Sequence, residues 1–202
     1  MRAVLAAGML LAGIVTTVGA ERGAGPGQRN TPEVPPGLEA PAGHDVFLIA
    51  EAEGTQNFVC VATPGGLSWR FTGPQATLFV RVAGHPFQLA THFLSADASG
   101  AARPTWQHSL DTSRVWGRVL ASSADPAYVA PGAVPWLLLE AAASEPGPAS
   151  GAILSRTSFI QRVHTSGGLA PASGCTTAND AGVQALVPYT ADYVFYRARR
   201  ER

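Results

Sequence analysis

Apolar residues in this chain come in short runs, many alternating with polar ones, and glycine, proline, aspartate or serine closes each run. In "RVWGRVL", Val115, Gly117 and Val119 share one side, while Trp116, Arg118 and Leu120 share the other. A period of two is the side-chain repeat of a strand, because successive side chains point to opposite faces. "DYVFYR" repeats the pattern: Tyr193, Phe195 and Arg197 alternate with Val194 and Tyr196. The interruptions "TPGGLS", "ADASGAAR", "ADPAYVAPG", "SEPGPASG" and "TSGG" are turn chemistry. Helical periodicity is missing outside the first twenty residues. Many short strands at fairly even spacing predict an all-β fold, an antiparallel β-sandwich or a barrel-like single domain.

Strands are expected at Val46–Ala52, Asn57–Ala62, Ser68–Phe71, Ala76–Val82, Phe87–Phe93, Arg114–Ala121, Trp136–Ala142, Ala152–Val163 and Ala191–Arg197. The run "PGAVPWLLLEA" reads as a strand entered at Pro135, where proline is tolerated. Both of its faces stay apolar up to Glu140, which predicts burial on both sides; a short helix is the rival reading.

The 202 residues suit one domain. Residues 1–20 read as a signal peptide: Arg2, an apolar stretch from Val4 to Val18, then the small residues before Glu21. Residues 21–41, rich in glycine and proline, read as a flexible linker. A single β-rich domain is expected over 42–198 and a basic tail over 199–202. The chain is therefore expected to be secreted, to the extracellular space or the cell envelope, with no membrane span in its mature part. Fourteen basic residues, all arginine, balance fourteen acidic ones. That balance argues against nucleic-acid binding, which usually needs a basic face. In an oxidising compartment Cys60 and Cys175 are expected to pair; free or metal-bound thiols are the alternative. Neither cysteine has the close partner that a zinc ribbon needs. No glycine-rich dinucleotide motif follows a strand.

Five segments together carry a family likeness: "VPPGLEAPAGHDVFLIAEAEGTQNFVC", "THF" with "PTW", "PGAVPWLLLEA", "FIQRVHTSGGLAPASGC" and "VPYTADYVFY". Jointly they resemble the exported bacterial and fungal family called Domain of Unknown Function 3455. The resemblance spans roughly Val34 to Tyr196. It implies export, no established activity and no agreed catalytic residues. It also implies a cysteine pair that matches Cys60 and Cys175. The family's Asp-Gly-Ser is Asp111-Thr112-Ser113 here, and the stretch between His92 and Trp106 is longer.

Reactive side chains concentrate in one window, His92, Trp106, His108, Asp111 and Ser113, which are the candidate ligand-binding residues. A hydrolase would use Ser113 as nucleophile, His92 as base and Asp111 as its orienter. No G-x-S-x-G elbow marks the serine, and Asp-x-Ser also suits a turn bonded to its own backbone. A metal site would take His92, His108 and Asp111, with His85 or His164 added, although the spacing matches no compact motif. Trp106 beside polar residues could present a half-exposed ring to a pocket. No cofactor, metal or ligand can be named from these residues. The reading is a non-catalytic extracellular or envelope domain that binds a partner or a small ligand. The alternative is a metal-dependent or hydrolytic enzyme centred on His92, Trp106 and Asp111.

Overall fold

A computed structural model describes residues 31–200. Eight antiparallel strands follow one another round a closed barrel: β1 (His44–Thr63), β2 (Gly66–Val82), β3 (His85–Ala96), β4 (Ala102–His108), β5 (Arg114–Ser123), β6 (Trp136–Glu145), β7 (Phe159–Gly167) and β8 (Gln184–Ala198). Each strand pairs with the next, and β8 closes on β1 over a ladder from His44↔Ala198 to Val59↔Gln184. Closure pairs the first strand with the last, the two that an open sheet would leave as free edges. Of the two forms the sequence left open, a sandwich and a barrel, the barrel is the one adopted. Cys60 and Cys175 form a disulfide with Cα atoms 5.5 Å apart, which ties the β7–β8 connection to β1.

Alternation sorts the side chains. Leu48, Ala50 and Ala52 of β1 point inward with Leu78, Ala90, Val115, Leu139 and Ile160; Trp106, Tyr193 and Phe195 fill the centre. Outward-facing side chains form cross-strand ion pairs, among them Arg81–Glu51 at 2.8 Å and Arg114–Glu145 at 2.6 Å. Strands β6 to β8 are an exception, because their outer face carries a second apolar cluster. Trp136, Leu138, Val163, Val194 and Tyr196 lie there under Leu38 and Val129. The run "PGAVPWLLLEA" is accordingly a strand buried on both faces at its start: Leu139 faces the barrel interior and Leu138 the outer cluster.

Several boundaries differ from the sequence reading. The first two expected strands are one continuous β1, and the next two are one β2. Strand β4 was not expected; Pro104 and the polar Thr105, Gln107 and His108 hide it. The expected strand over Ala152–Val163 is broken. Leu154–Arg156 is a 3₁₀ turn, and β7 begins only at Phe159. The linker reading does not hold for residues 31–41. Leu38 is 1% exposed, and its carbonyl accepts a bond of 2.6 Å from the Gln161 Nε2. The basic tail begins with a fixed residue, since Arg199 pairs with Asp45 at 2.7 Å. The signal peptide expected over residues 1–20, together with residues 21–30 and 201–202, lies outside the described residues.

The two ends of the barrel are built differently. At the end holding the β4–β5 and β6–β7 connections, Leu154 enters the core and is fully buried. Burying a leucine contributes about 1.5–3 kcal/mol. At the opposite end the ladders thin out. Strand β2 pairs with β3 only as far as Ala76↔His92, and β4 pairs with β5 at three positions ending at Thr105↔Trp116. A proline stands just past each stop, Pro74 on β2 and Pro104 on β4, and neither can donate to a ladder.

Candidate functional site

The thinned end opens into a cavity of about 460 Å³. That lies within the usual range for small-molecule sites. Its rim carries Phe71, Val119 and Leu169, which are 46%, 47% and 47% exposed although apolar. Val119 is on the same side of β5 as the buried Val115, so its exposure comes from the open interior. Deeper in, Leu94, Leu137 and Leu139 line the walls, and His92, Trp106 and Tyr193 form the inner end.

His92 and Trp106 are cross-strand partners, and their rings stack at 4.3 Å with an 8° interplanar angle. Tyr193 meets both rings edge-on, at 5.1 Å and 5.3 Å. Room for the indole comes from Gly117. A Cβ there would lie 3.0 Å from Trp106 Cζ3 and 3.0 Å from Leu139 Cδ2. The imidazole Nδ1 lies 2.9 Å from the Thr105 carbonyl, which can only accept, so Nδ1 carries the hydrogen and Nε2 a lone pair. Burial pushes the His92 pKa down to about 3; the Thr105 bond opposes this and the nearby charge of Arg162 adds to it. His92 is thus a neutral aromatic wall at ordinary pH. Burial likewise raises the Tyr193 phenol, which remains an O–H donor.

Arg162 is the charged residue of the cavity. It follows Ile160 on the inward side of β7 and pairs across the ladders with Leu137 and Tyr193. Its Nε and Nη2 donate to the Pro135 carbonyl at 3.2 Å and 2.8 Å. That contact helps to hold the β5–β6 connection against β7. Val134 N donating to Gly167 O at 2.8 Å and Thr165 Oγ1 donating to Val134 O at 2.6 Å do the same. Gly168 completes the rim with a φ of +87°. A Cβ there would meet Gln56, Tyr189 and Val134 at 2.9–3.0 Å, so only glycine fits. Two buried donors on this lining, Trp106 Nε1 and Gln56 Nε2, have no hydrogen-bond partner among the described residues.

The candidate residues from the sequence divide between the two ends. His92 and Trp106 line the cavity. Trp106 is 1% exposed, not half-exposed as expected, and reaches the cavity from within the core. His108, Asp111 and Ser113 instead build the closed floor. Asp111 Oδ1 accepts from Ser113 N and Oγ at 2.9 Å and 2.7 Å, and Oδ2 accepts from Ile153 N at 2.9 Å. Ser113 Oγ accepts from Leu154 N at 2.9 Å. These bonds hold the 3₁₀ turn in the barrel and interrupt the strand that the sequence suggested. Burial alone would raise the Asp111 pKa, but the bonds from Ser113 and Ile153 outweigh it and hold the carboxylate low. His108 Nδ1 lies 3.1 Å from Asp111 N and 3.0 Å from its Oδ1.

The Ser113–His92–Asp111 relay that a hydrolase needs is not formed. Ser113 bonds Asp111 directly, and His92 Nδ1 is committed to Thr105. Among the described residues no three His, Cys, Asp or Glu side chains come together as metal ligands. Of the other two histidines considered, His85 opens β3 on the surface and His164 bonds Asp192 Oδ2 at 2.8 Å.

Arg162, Tyr193 and Gln56 were missed by the sequence reading. The alternation in "FIQRVH" carried the signal, since it puts Arg162 on the side of Ile160. An arginine in step with core residues is a buried-site signal, because charges are rarely taken inside without a partner.

A family model described as a protein of unknown function, DUF3455, matches residues 41–197. No curated protein and no solved structure matches the chain.

Proposed function

We propose that this chain, which belongs to the DUF3455 family, is a non-catalytic binding protein that holds a small, largely apolar molecule in the open end of its barrel. The observation that carries the reading is the cavity of about 460 Å³, open at a rim of exposed apolar residues and closed below by stacked aromatic rings. Exposed apolar surface is costly to leave in water, and a concave apolar lining with a few polar groups is the usual form of a ligand site. The neutral imidazole of His92 and the committed bonds of Asp111 and Ser113 support binding over catalysis. Export is part of the same proposal. It rests on the leader-like first twenty residues and on a disulfide of the kind that persists in oxidising compartments.

Titration with a neutral apolar dye, N-phenyl-1-naphthylamine, tests the proposal. Saturable binding of one dye per chain is expected, with its fluorescence enhanced. Leu137→Trp, which places bulk inside the cavity, is expected to weaken that binding by about tenfold or more while the protein stays folded, because lost apolar contact area lowers affinity directly. An absence of saturable binding, or equal binding by the filled variant, contradicts the proposal.

A further inference from the structure

The cavity holds a positive charge with nothing to balance it. Arg162 is the only charged side chain on the lining among the described residues, and it forms no ion pair there with any carboxylate. The five described arginine–carboxylate pairs lie elsewhere, on the outer wall or in connections: Glu51 serves Arg81, Asp97 serves Arg103, Glu145 serves Arg114, Glu140 serves Arg118 and Asp45 serves Arg199. A guanidinium has five N–H donors in a planar fork. The Pro135 carbonyl takes Nε and one hydrogen on Nη2, which leaves donors over. The Tyr193 hydroxyl on the same lining is kept protonated by burial and lies 3.5 Å from that of Tyr189. Two further donors on the lining, Trp106 Nε1 and Gln56 Nε2, are buried and unpartnered. The polar groups of the cavity are thus weighted towards donors and positive charge, while the rest of the lining is apolar.

Building on the proposed apolar-ligand site, we infer that its ligand is an amphiphile with one anionic head, a carboxylate in the simplest case, seated on Arg162 with the apolar part running out between Leu137, Leu94 and Val119. A carboxylate matches the guanidinium fork, and a charge-assisted hydrogen bond in a dry site is stronger than a neutral one. A single negative charge also neutralises the cavity. Uncharged apolar molecules would leave Arg162 without a counter-charge, and a cationic head would meet it with repulsion. The Pro135 contact fixes the arginine in place before any ligand arrives, so little side-chain ordering remains to be done on binding.

Three probes of equal chain length separate the possibilities: decanoate, decanol and decyltrimethylammonium, each titrated by calorimetry into the full-length mature protein. Decanoate is expected to bind on the order of tenfold tighter than decanol, the range that charge-assisted hydrogen bonds supply, with the cation weakest. Arg162→Gln is expected to remove the preference for decanoate over decanol. If decanol and decanoate bind equally to the unaltered protein, the anionic head is refuted while the apolar site stands. If none of the three binds, the apolar site itself falls and this inference falls with it. The comparison among probes on the unaltered protein needs no variant, so misfolding of Arg162→Gln would not spare the inference. Arg162→Lys gives a second check, because it keeps the charge and loses the fork. It is expected to retain part of the preference, and complete retention of affinity by Arg162→Gln would contradict the role assigned to the arginine.

Discussion

The two ends of this barrel use similar residue types to opposite effect. At the floor, Asp111 and Ser113 bond each other and the backbone of Ile153 and Leu154, so that a carboxylate and a hydroxyl become a latch on a buried leucine. At the mouth, Arg162 has a backbone carbonyl but no acidic partner, and apolar side chains stand exposed around it. The contrast teaches that a cluster of reactive side chains is informative only once its bonds are counted. The window that looked most chemical in the sequence is largely spent on holding the chain together. The place with bonding capacity to spare is carried by residues that looked like ordinary strand members.

The comparison breaks most visibly at the floor. Replacing Asp111 with Ala removes the acceptor for three N–H or O–H groups and leaves donors near the core unmatched. A loss of about 3 kcal/mol is expected, since each stranded donor costs roughly 1–3 kcal/mol and the site can partly rehydrate. Equilibrium denaturation measures it. Binding of the apolar dye by the folded fraction should be unaltered, because the latch lies at the other end. A variant with full stability would show that the floor is not held by this carboxylate.

The ends are also expected to respond to acid in different windows, and the signs follow from the two shifts. His92 is buried uncharged with its pKa lowered to about 3. As pH falls below about 6.5 the unfolded chain takes up a proton that the folded chain refuses, so stability is lost from there down to about pH 3. The slope is up to about 1.4 kcal/mol per pH unit, or roughly 2 kcal/mol by pH 5. His92→Phe should flatten that segment of the stability curve. Asp111 is lowered from 3.8. Its contribution is present above that value and is lost only as pH falls through the depressed folded value. Denaturation midpoints from pH 7 to pH 3 for the two proteins separate the windows. Parallel curves for the parent and His92→Phe would contradict the buried neutral imidazole.

How much of this was legible in the sequence varies with the length scale of the cause. The all-β class was readable because alternation such as Val115–Val119 is a property of neighbouring residues. The barrel, as opposed to a sandwich, depends on β8 returning to β1 across most of the chain, which no local pattern states. The break before β7 was invisible because it is imposed by Asp111 and Ser113, about forty residues earlier, as the separation of 42 and 41 residues in their bonds shows. Packing of Leu38 on the outer cluster was missed for a related reason. A glycine- and proline-rich segment has the composition of a linker, and only the double-sided burial of β6 to β8 gives it a surface to cover. For the site, His92 and Trp106 were readable as types. Arg162 and Tyr193 needed the register of β7 on β8 to bring them side by side.

The central claim is that the molecule binds at its mouth and is merely closed at its floor. Methyl-detected NMR of the protein during a decanol titration tests this most directly. Ligand in the cavity should shift the methyl signals of Leu94, Val119 and Leu137, which line it, and leave that of Leu154 in the floor unmoved. Shifts centred on Leu154, or on Val163 and Leu138 of the outer cluster with the cavity methyls silent, would contradict the claim.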